Sequence, residues 1–147
     1  MKIVITGALG HIGSQAARLL PSLFPESETI LIDDLSTQRY SSLFNLPAQG
    51  SYSFIEGDVL KLDLKSLFSG ASAVIHLAAI TDATRSFENR EQVEHVNFTT
   101  SLRVAEACAA VGAKMFLISS TSVYGTQENH VDENCTLDEL KPQSPYA

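Results

Sequence analysis

Three glycines spaced by three, in Thr6-Gly7-Ala8-Leu9-Gly10-His11-Ile12-Gly13, constrain this chain more than any other stretch. They lie between a short apolar run, Lys2-Ile3-Val4-Ile5, and a helix-forming one, Ser14-Gln15-Ala16-Ala17-Arg18-Leu19-Leu20. Strand, glycine turn and helix, in that order, bring backbone N–H groups up to a diphosphate. A side chain in the turn would hold phosphates off, and glycine reaches positive φ at no steric cost. The positive end of the helix dipole supplies attraction, so the turn needs no Lys or Arg. Gly7, Gly10, His11, Ile12 and Gly13 are therefore the first candidate ligand contacts. Glycine patterns of this kind are common, and the surrounding chain has to decide what this one holds.

Apolar runs at 2–6, 29–33, 52–56, 73–77 and 115–119 predict five strands. Several are continuously apolar rather than alternating, as strands covered on both faces should be. Helical periodicity fills the gaps. The first helix is predicted from residue 11 to 24, stopped by Pro21 or Pro25. A turn or two is expected at 63–68, ending near Gly70. The strongest helix spans 90–111, where Val93, Val96, Thr100, Val104, Ala107, Cys108 and Val111 share one face and Gly112 stands at a left-handed cap. Residues 41–51, with Pro47 and Gly50, read as an irregular connection. Alternating strands and helices imply right-handed crossovers and a parallel sheet; with the glycine turn after the first strand, the expected fold is a Rossmann-type, doubly wound α/β sheet, whose order is 3-2-1-4-5. No sixth strand follows residue 119. The expectation is a single domain over 1–147, truncated before that strand and without a C-terminal substrate-binding part.

A net charge of −7 with no basic cluster argues against nucleic acid and against an anionic membrane surface. The longest apolar run, 73–80, is interrupted by His76 and is too short to span a bilayer. The N-terminus has no basic region leading into a long apolar segment, so no signal peptide is expected. Cys108 and Cys135 form neither a disulfide framework nor a metal-ligand spacing, which fits a reducing compartment and a cytoplasmic protein without metal. Cys108 falls in the helix pattern and reads as a buried structural thiol.

Asp33, twenty residues after Gly13 at the end of the second strand, gives the glycine turn its ligand. A carboxylate there accepts hydrogen bonds from the adenosine ribose hydroxyls and repels a 2′-phosphate, so NAD is preferred over NADP. Asp34 doubles the negative charge.

These residues resemble the extended short-chain dehydrogenase/reductase family, in particular its NAD-dependent nucleotide-sugar epimerases and dehydratases. The likeness extends over the whole 147 residues. The segment 6–13 is similar to the family's nucleotide loop, and Gly57-Asp58-Val59 to its adenine-contacting turn after the third strand. His76-Leu77-Ala78-Ala79 resembles the segment that lies along the cofactor, and Asn97 falls where the family keeps an Asn on the long helix. The resemblance thus implies cofactor contacts at Asp58, Val59, Leu77, Ala78, Ala79 and Asn97. Ser119-Ser120-Thr121-Ser122-Val123-Tyr124-Gly125 is similar to the fifth-strand active-site motif. Counting back four residues from Tyr124 places the catalytic hydroxyl on Ser120. Pro142-Gln143-Ser144-Pro145-Tyr146 resembles the approach to the catalytic Tyr, here Tyr146, which the family also sets against the cofactor.

Oxidising a carbinol carbon with NAD needs a base for the hydroxyl proton and a donor that fixes the oxygen. A phenol of ordinary pKa, about 10, lies roughly 4 kcal/mol from ionised at neutral pH, and a nearby ammonium closes that gap. In the family the ammonium is a Lys four positions after the Tyr. This sequence stops one residue after Tyr146, so the 147-residue chain alone is expected to be inactive. Dehydratases of the family place an acid directly after the catalytic hydroxyl. Here Thr121 and Ser122 occupy those positions, with Thr81 as a further substrate contact, so epimerisation through a keto intermediate is the expected reaction. A plain NAD-dependent dehydrogenase of another secondary alcohol and a non-catalytic dinucleotide-binding sensor are the alternatives. The expected partners are a nucleotide-sugar or other small-molecule substrate and, because relatives dimerise through a four-helix bundle that includes the long helix, a homodimer of the full-length protein.

Of the histidines, His11 reads as a partly exposed loop residue and His76 as a hydrogen-bonded structural imidazole. His95 and His130 read as surface residues. Asp82 and Arg85 follow the fourth strand near the substrate edge, Arg85 being equally well a surface residue. Strand 115–119 is expected to lie at an open, apolar sheet edge prone to aggregation.

Overall fold

The computed structural model describes residues 1–81, 87–127, 131–144 and 146. Asp82, Arg85 and His130 lie outside the described residues. One parallel sheet is formed by β1 (Lys2–Thr6), β2 (Glu28–Asp33), β3 (Ser51–Glu56), β4 (Ala71–His76) and β5 (Lys114–Leu117), in the order β3-β2-β1-β4-β5. The helices are α1 (His11–Leu23), α2 (Leu64–Phe68) and α3 (Arg90–Val111). The doubly wound sheet and its strand order are those read from the sequence.

Alternation along the strands divides the core. Val4, Ile30, Ile32 and Val74 pack with Phe68, Val104 and Cys108 on the face of α2 and α3. Ile3, Ile5 and Leu31 pack with Ala17 and Leu20 of α1 on the other. Because β1 and β2 are covered on both faces, their central residues, Ile3-Val4-Ile5 and Ile30-Leu31-Ile32, are apolar without alternation. Each fully buried side chain of Phe or Ile size stabilises the fold by about 1.5–3 kcal/mol.

Helix α1 keeps its expected bounds to within a residue, whereas strand ends move: β4 runs from Ala71 to His76 rather than over 73–77. Helix α1 runs through Pro21 to Leu23. Proline has no N–H for the carbonyl four residues back, that of Ala17. The Tyr52 hydroxyl, from β3, donates to that carbonyl at 3.0 Å and replaces the lost bond. Strand β5 stops at Leu117 rather than 119, because Leu117 pairs with His76, the last residue of β4. Ile118 and Ser119 therefore have no ladder to join. The segment after β2 is also more ordered than an irregular connection, with a 3₁₀ turn at Tyr40–Leu43.

Helix α3 has the bounds its periodicity predicts. Val93, Thr100, Val104, Ala107 and Cys108 are buried, and Gly112 caps the end at φ 74°. Asp63 caps α2 by accepting from the Ser66 N–H at 3.1 Å. On β5, which has a single strand neighbour, Phe116 and Leu117 are 55% and 54% exposed, and Ile118 beyond it is 59% exposed. Among the described residues no helix is long and apolar enough to cross a membrane.

Candidate cofactor and active site

The strands end together. Thr6 is in register with Ile32 on one side and with His76 on the other, so the carboxyl ends of β1, β2 and β4 meet where the strand order reverses. Ligands bind at such a reversal because the connections leave it in opposite directions and open a crevice. A cleft of about 650 Å³ occupies it.

The glycine turn forms its floor. Gly7 has φ +65°, and a Cβ there would stand 2.6 Å from the Leu77 and Ala78 backbone. A Cβ on Gly13 would strike the Gly7 carbonyl oxygen and the Ala8 backbone. The first of these glycines lets β1 turn beside β4; the second lets α1 start directly over the turn. Gly10 is the N-cap of α1, where no side chain caps and no acid occupies the first turn. His11 and Ile12 are exposed at the lip, so His11 is the first helical residue rather than a loop residue. Uncapped N–H groups at the positive end of a helix favour an anion.

Asp33 is 9% exposed, yet both its oxygens are held: Oδ2 accepts from the Leu9 N–H at 2.9 Å and Oδ1 from the Leu35 N–H at 3.0 Å. The carboxylate is thus tied to the glycine turn while spare lone pairs face the cleft it lines. Asp34 is exposed on the same wall and accepts from the Ser36 N–H at 2.9 Å. Beyond them stand Asp58 and the buried Val59. The Leu60 N–H, 2.9 Å from Asp58 Oδ1, holds that carboxyl below its ordinary range, helped by the Lys61 ammonium at 3.2 Å.

Between the walls, His76 is 3% exposed, and its Nδ1 lies 2.6 Å from Thr6 Oγ1. That oxygen also accepts from the Leu77 and Ala78 N–H groups at 3.3 and 3.4 Å. Its own proton is therefore directed to Nδ1, and the imidazole is neutral with hydrogen on Nε2. Burial pushes the His76 pKa down to about 4. His76 is thus the structural imidazole expected, and it ties β1 to the segment carrying Leu77, Ala78 and Ala79, all of which line the cleft. Asn97 holds the continuation of that segment. Its Oδ1 accepts from the Ile80 N–H at 2.8 Å and its Nδ2 donates to the Ile80 carbonyl at 3.0 Å. Both functions of the Asn97 amide are engaged there, although the residue also lines the cleft. Thr81 is exposed at the rim.

Ser120 and Tyr146 both line the opposite end. Ser120 is the N-cap of a 3₁₀ turn, Thr121–Tyr124, and its Oγ accepts from the Ser122 N–H at 3.1 Å. A hydroxyl that accepts in this way keeps its own proton as a donor. Thr121 and Ser122, expected as substrate contacts, are exposed and stand off the cleft wall. A 3₁₀ turn repeats every three residues, so Ser120 and Val123 share the cleft side and the two between them do not. His95, as expected, is an exposed residue, 3.3 Å from the Thr99 hydroxyl.

Over residues 3–147 the chain matches the NAD dependent epimerase/dehydratase family. It belongs to that family. Among curated relatives it is 35% identical to an uncharacterized UDP-glucose epimerase of Bacillus subtilis, covering 100% of this chain and 48% of the relative. It is 30% identical to the UDP-glucose 4-epimerase of Mycolicibacterium smegmatis, covering 100% and 47%. The UDP-glucuronic acid 4-epimerase of Bacillus cereus, solved with UDP-glucuronic acid and NAD, superposes with a TM-score of 0.84 at 30% identity, covering 99% of this chain and 48% of that one. The chain thus spans about half the length of each of these three proteins.

Several cleft residues of this family member were not singled out in its sequence. Ser36, Thr37 and Arg39 line the wall beside Asp33. Val96, Thr100 and Ser101 bring the side of α3 to it. Only the nearness of the first three to Asp33 in the chain pointed to them. Val96 and Thr100 were hidden because they read as core periodicity, and Ser101 lay outside that pattern.

Proposed function

We propose that this chain binds NAD in the cleft and that the protein it forms epimerises a nucleotide-activated sugar by oxidation to a keto intermediate and reduction on the other face. One observation carries the reading: the glycine turn with its buried Asp33, and the Ser120–Tyr146 pair, line the same cleft. The residues fit the cofactor. A diphosphate suits the uncapped α1 terminus, where added Cβ atoms at Gly7 or Gly13 would collide with backbone. Ribose hydroxyls suit the spare lone pairs of Asp33, and adenine the wall at Asp58 and Val59. NAD held there supplies a hydride acceptor and donor for the sugar carbon.

Residues of this chain hold the substrate oxygen and handle its proton. Ser120, whose oxygen accepts from the Ser122 N–H, donates its hydroxyl proton to the substrate oxygen. Tyr146, as the phenolate that a nearby ammonium would stabilise, takes the proton from that oxygen as the carbonyl forms and returns it afterwards. Neither residue after Ser120 is an acid, which supports epimerisation over dehydration. Phe98 and Leu102, four apart on α3 and 69% and 46% exposed, support a homodimer of the whole protein. The test is calorimetry of the full-length natural protein with NAD, followed by an assay for interconversion of UDP-, GDP- and dTDP-sugars. Binding without turnover across that panel favours the sensor; no binding overturns the proposal.

A further inference from the structure

Among the described residues, three that are not glycine adopt positive φ: Leu35 at 57°, Gln38 at 54° and Asn45 at 54°. All three lie in the connection between β2 and β3. Asn tolerates that conformation, but Leu and Gln adopt it against the clash of Cβ with the backbone. Such a shape persists only where its surroundings over-determine it, and such segments cluster at ligand clamps. The same connection supplies Asp34, Ser36, Thr37 and Arg39 to the cleft wall. Arg39 is the one Lys or Arg among the described residues that line the cleft, facing a wall that also holds the carboxylates of Asp33, Asp34 and Asp58.

What restrains the connection lies outside the cleft. Arg18, half-buried on α1, donates from Nη1 to the Ser14 carbonyl at 2.9 Å and from Nη2 to the Ser42 and Phe44 carbonyls, both at 3.0 Å. Ser42 Oγ donates to the Leu9 carbonyl at 3.0 Å, and the Leu9 N–H is the one that holds Asp33. Ser42 N–H also donates to the Arg39 carbonyl at 2.9 Å. One guanidinium thus fixes the connection to α1 and, through Ser42, to both the glycine turn and Arg39.

We propose that Arg18 is a positioning residue for the adenosine end of the cofactor. It holds residues 34–45 in a strained, ready-formed shape, so that Ser36, Thr37 and Arg39 meet the adenosine without a further ordering cost. This rests on the reading of the cleft as an NAD site and goes beyond it by assigning adenosine affinity to a side chain that does not line the cleft.

The test is calorimetry of NAD, ADP-ribose and AMP with the full-length natural protein, with Arg18→Met, and with Arg18→Met combined with Gln38→Gly. Arg18→Met is expected to weaken all three ligands by the same factor, roughly tenfold, because all three share the adenosine. Gln38→Gly in that background should recover part of the loss, since glycine holds positive φ without strain. A merely structural arginine would not be answered by a glycine twenty residues away. Should Arg18→Met fail to fold, Ser42→Ala removes only the bond to the Leu9 carbonyl and should show the same pattern at roughly threefold. Equal affinity in the altered and unaltered proteins overturns this inference alone, as does a loss for NAD that AMP does not share. Absence of binding by the unaltered protein overturns the cofactor reading and this inference with it.

Discussion

At the β2 end of the cleft, Asp33 is 9% exposed with both carboxylate oxygens held by backbone N–H groups, and the connection beside it is clamped by Arg18. At the β5 end, Phe116, Leu117 and Ile118 are each more than half exposed. The strap that brings Tyr146 into the cleft is tied there by the Lys141 N–H on the Val123 carbonyl and by Gln127 Nε2 on the Tyr124 and Glu139 carbonyls. Hydrogen bonds reached by water contribute less than those that would otherwise leave a buried group unpaired. The half of the cleft assigned to adenosine therefore holds its own shape, while the half assigned to chemistry rests on a sheet edge. Between them the Thr6–His76 pair joins β1 to β4.

If the two ends are separable, Tyr146→Phe should lower turnover of the full-length protein by about 10²–10⁴-fold while calorimetry finds NAD affinity unchanged. An equal loss in both quantities would break the comparison. At the joint between the ends, Gly7→Ala puts a Cβ against the Leu77 and Ala78 backbone at φ +65°. It should cost roughly 3 kcal/mol or more in chemical denaturation and abolish measurable NAD binding.

Acid should open the same joint. The His76 pKa is depressed from 6.5 to about 4, so between these values the unfolded chain takes up a proton that the folded chain refuses. Stability is complete above pH 6.5, falls as pH drops toward 4, and levels off below, for a total of at most about 3 kcal/mol. Denaturant midpoints measured against pH should show that slope, and His76→Asn should remove it. Asp58, whose carboxyl is held below its ordinary 3.8, contributes its loss in a lower pH window. The smallest effect is expected at the exposed edge. Ile118→Glu should change stability by no more than about 0.5 kcal/mol yet reduce self-association of the 147-residue chain in light scattering.

Legibility in the sequence followed the same division. The glycine turn and the helix ending at Gly112 announced themselves, because periodicity and the backbone freedom of glycine act over a few neighbouring residues; the Asp58 turn was named through motif likeness. Ser120 and Tyr146 were named through motif likeness, and both line the cleft; the same likeness named Thr121 and Ser122, which do not line it. The phase of a three-residue turn turned those two outward. Asn97, named as a cofactor contact, lines the cleft, and its amide is engaged with the Ile80 peptide, a partner seventeen positions away that no local pattern reveals.

The order of strands and helices, the parallel sheet and the positions of the glycine turn and Asp33 were determined by the sequence alone, since each follows from local spacing and conformational restriction. Whether Pro21 would break α1 was decided only when β3 brought the Tyr52 hydroxyl to the Ala17 carbonyl. Arg18 reads as an ordinary helix residue until the connection after β2 folds its carbonyls onto it. The tautomer of His76 likewise exists only once Thr6 lies in register beside it. In each case the deciding quantity is which donor reaches which acceptor across tens of residues, a distance that packing sets and spacing does not encode.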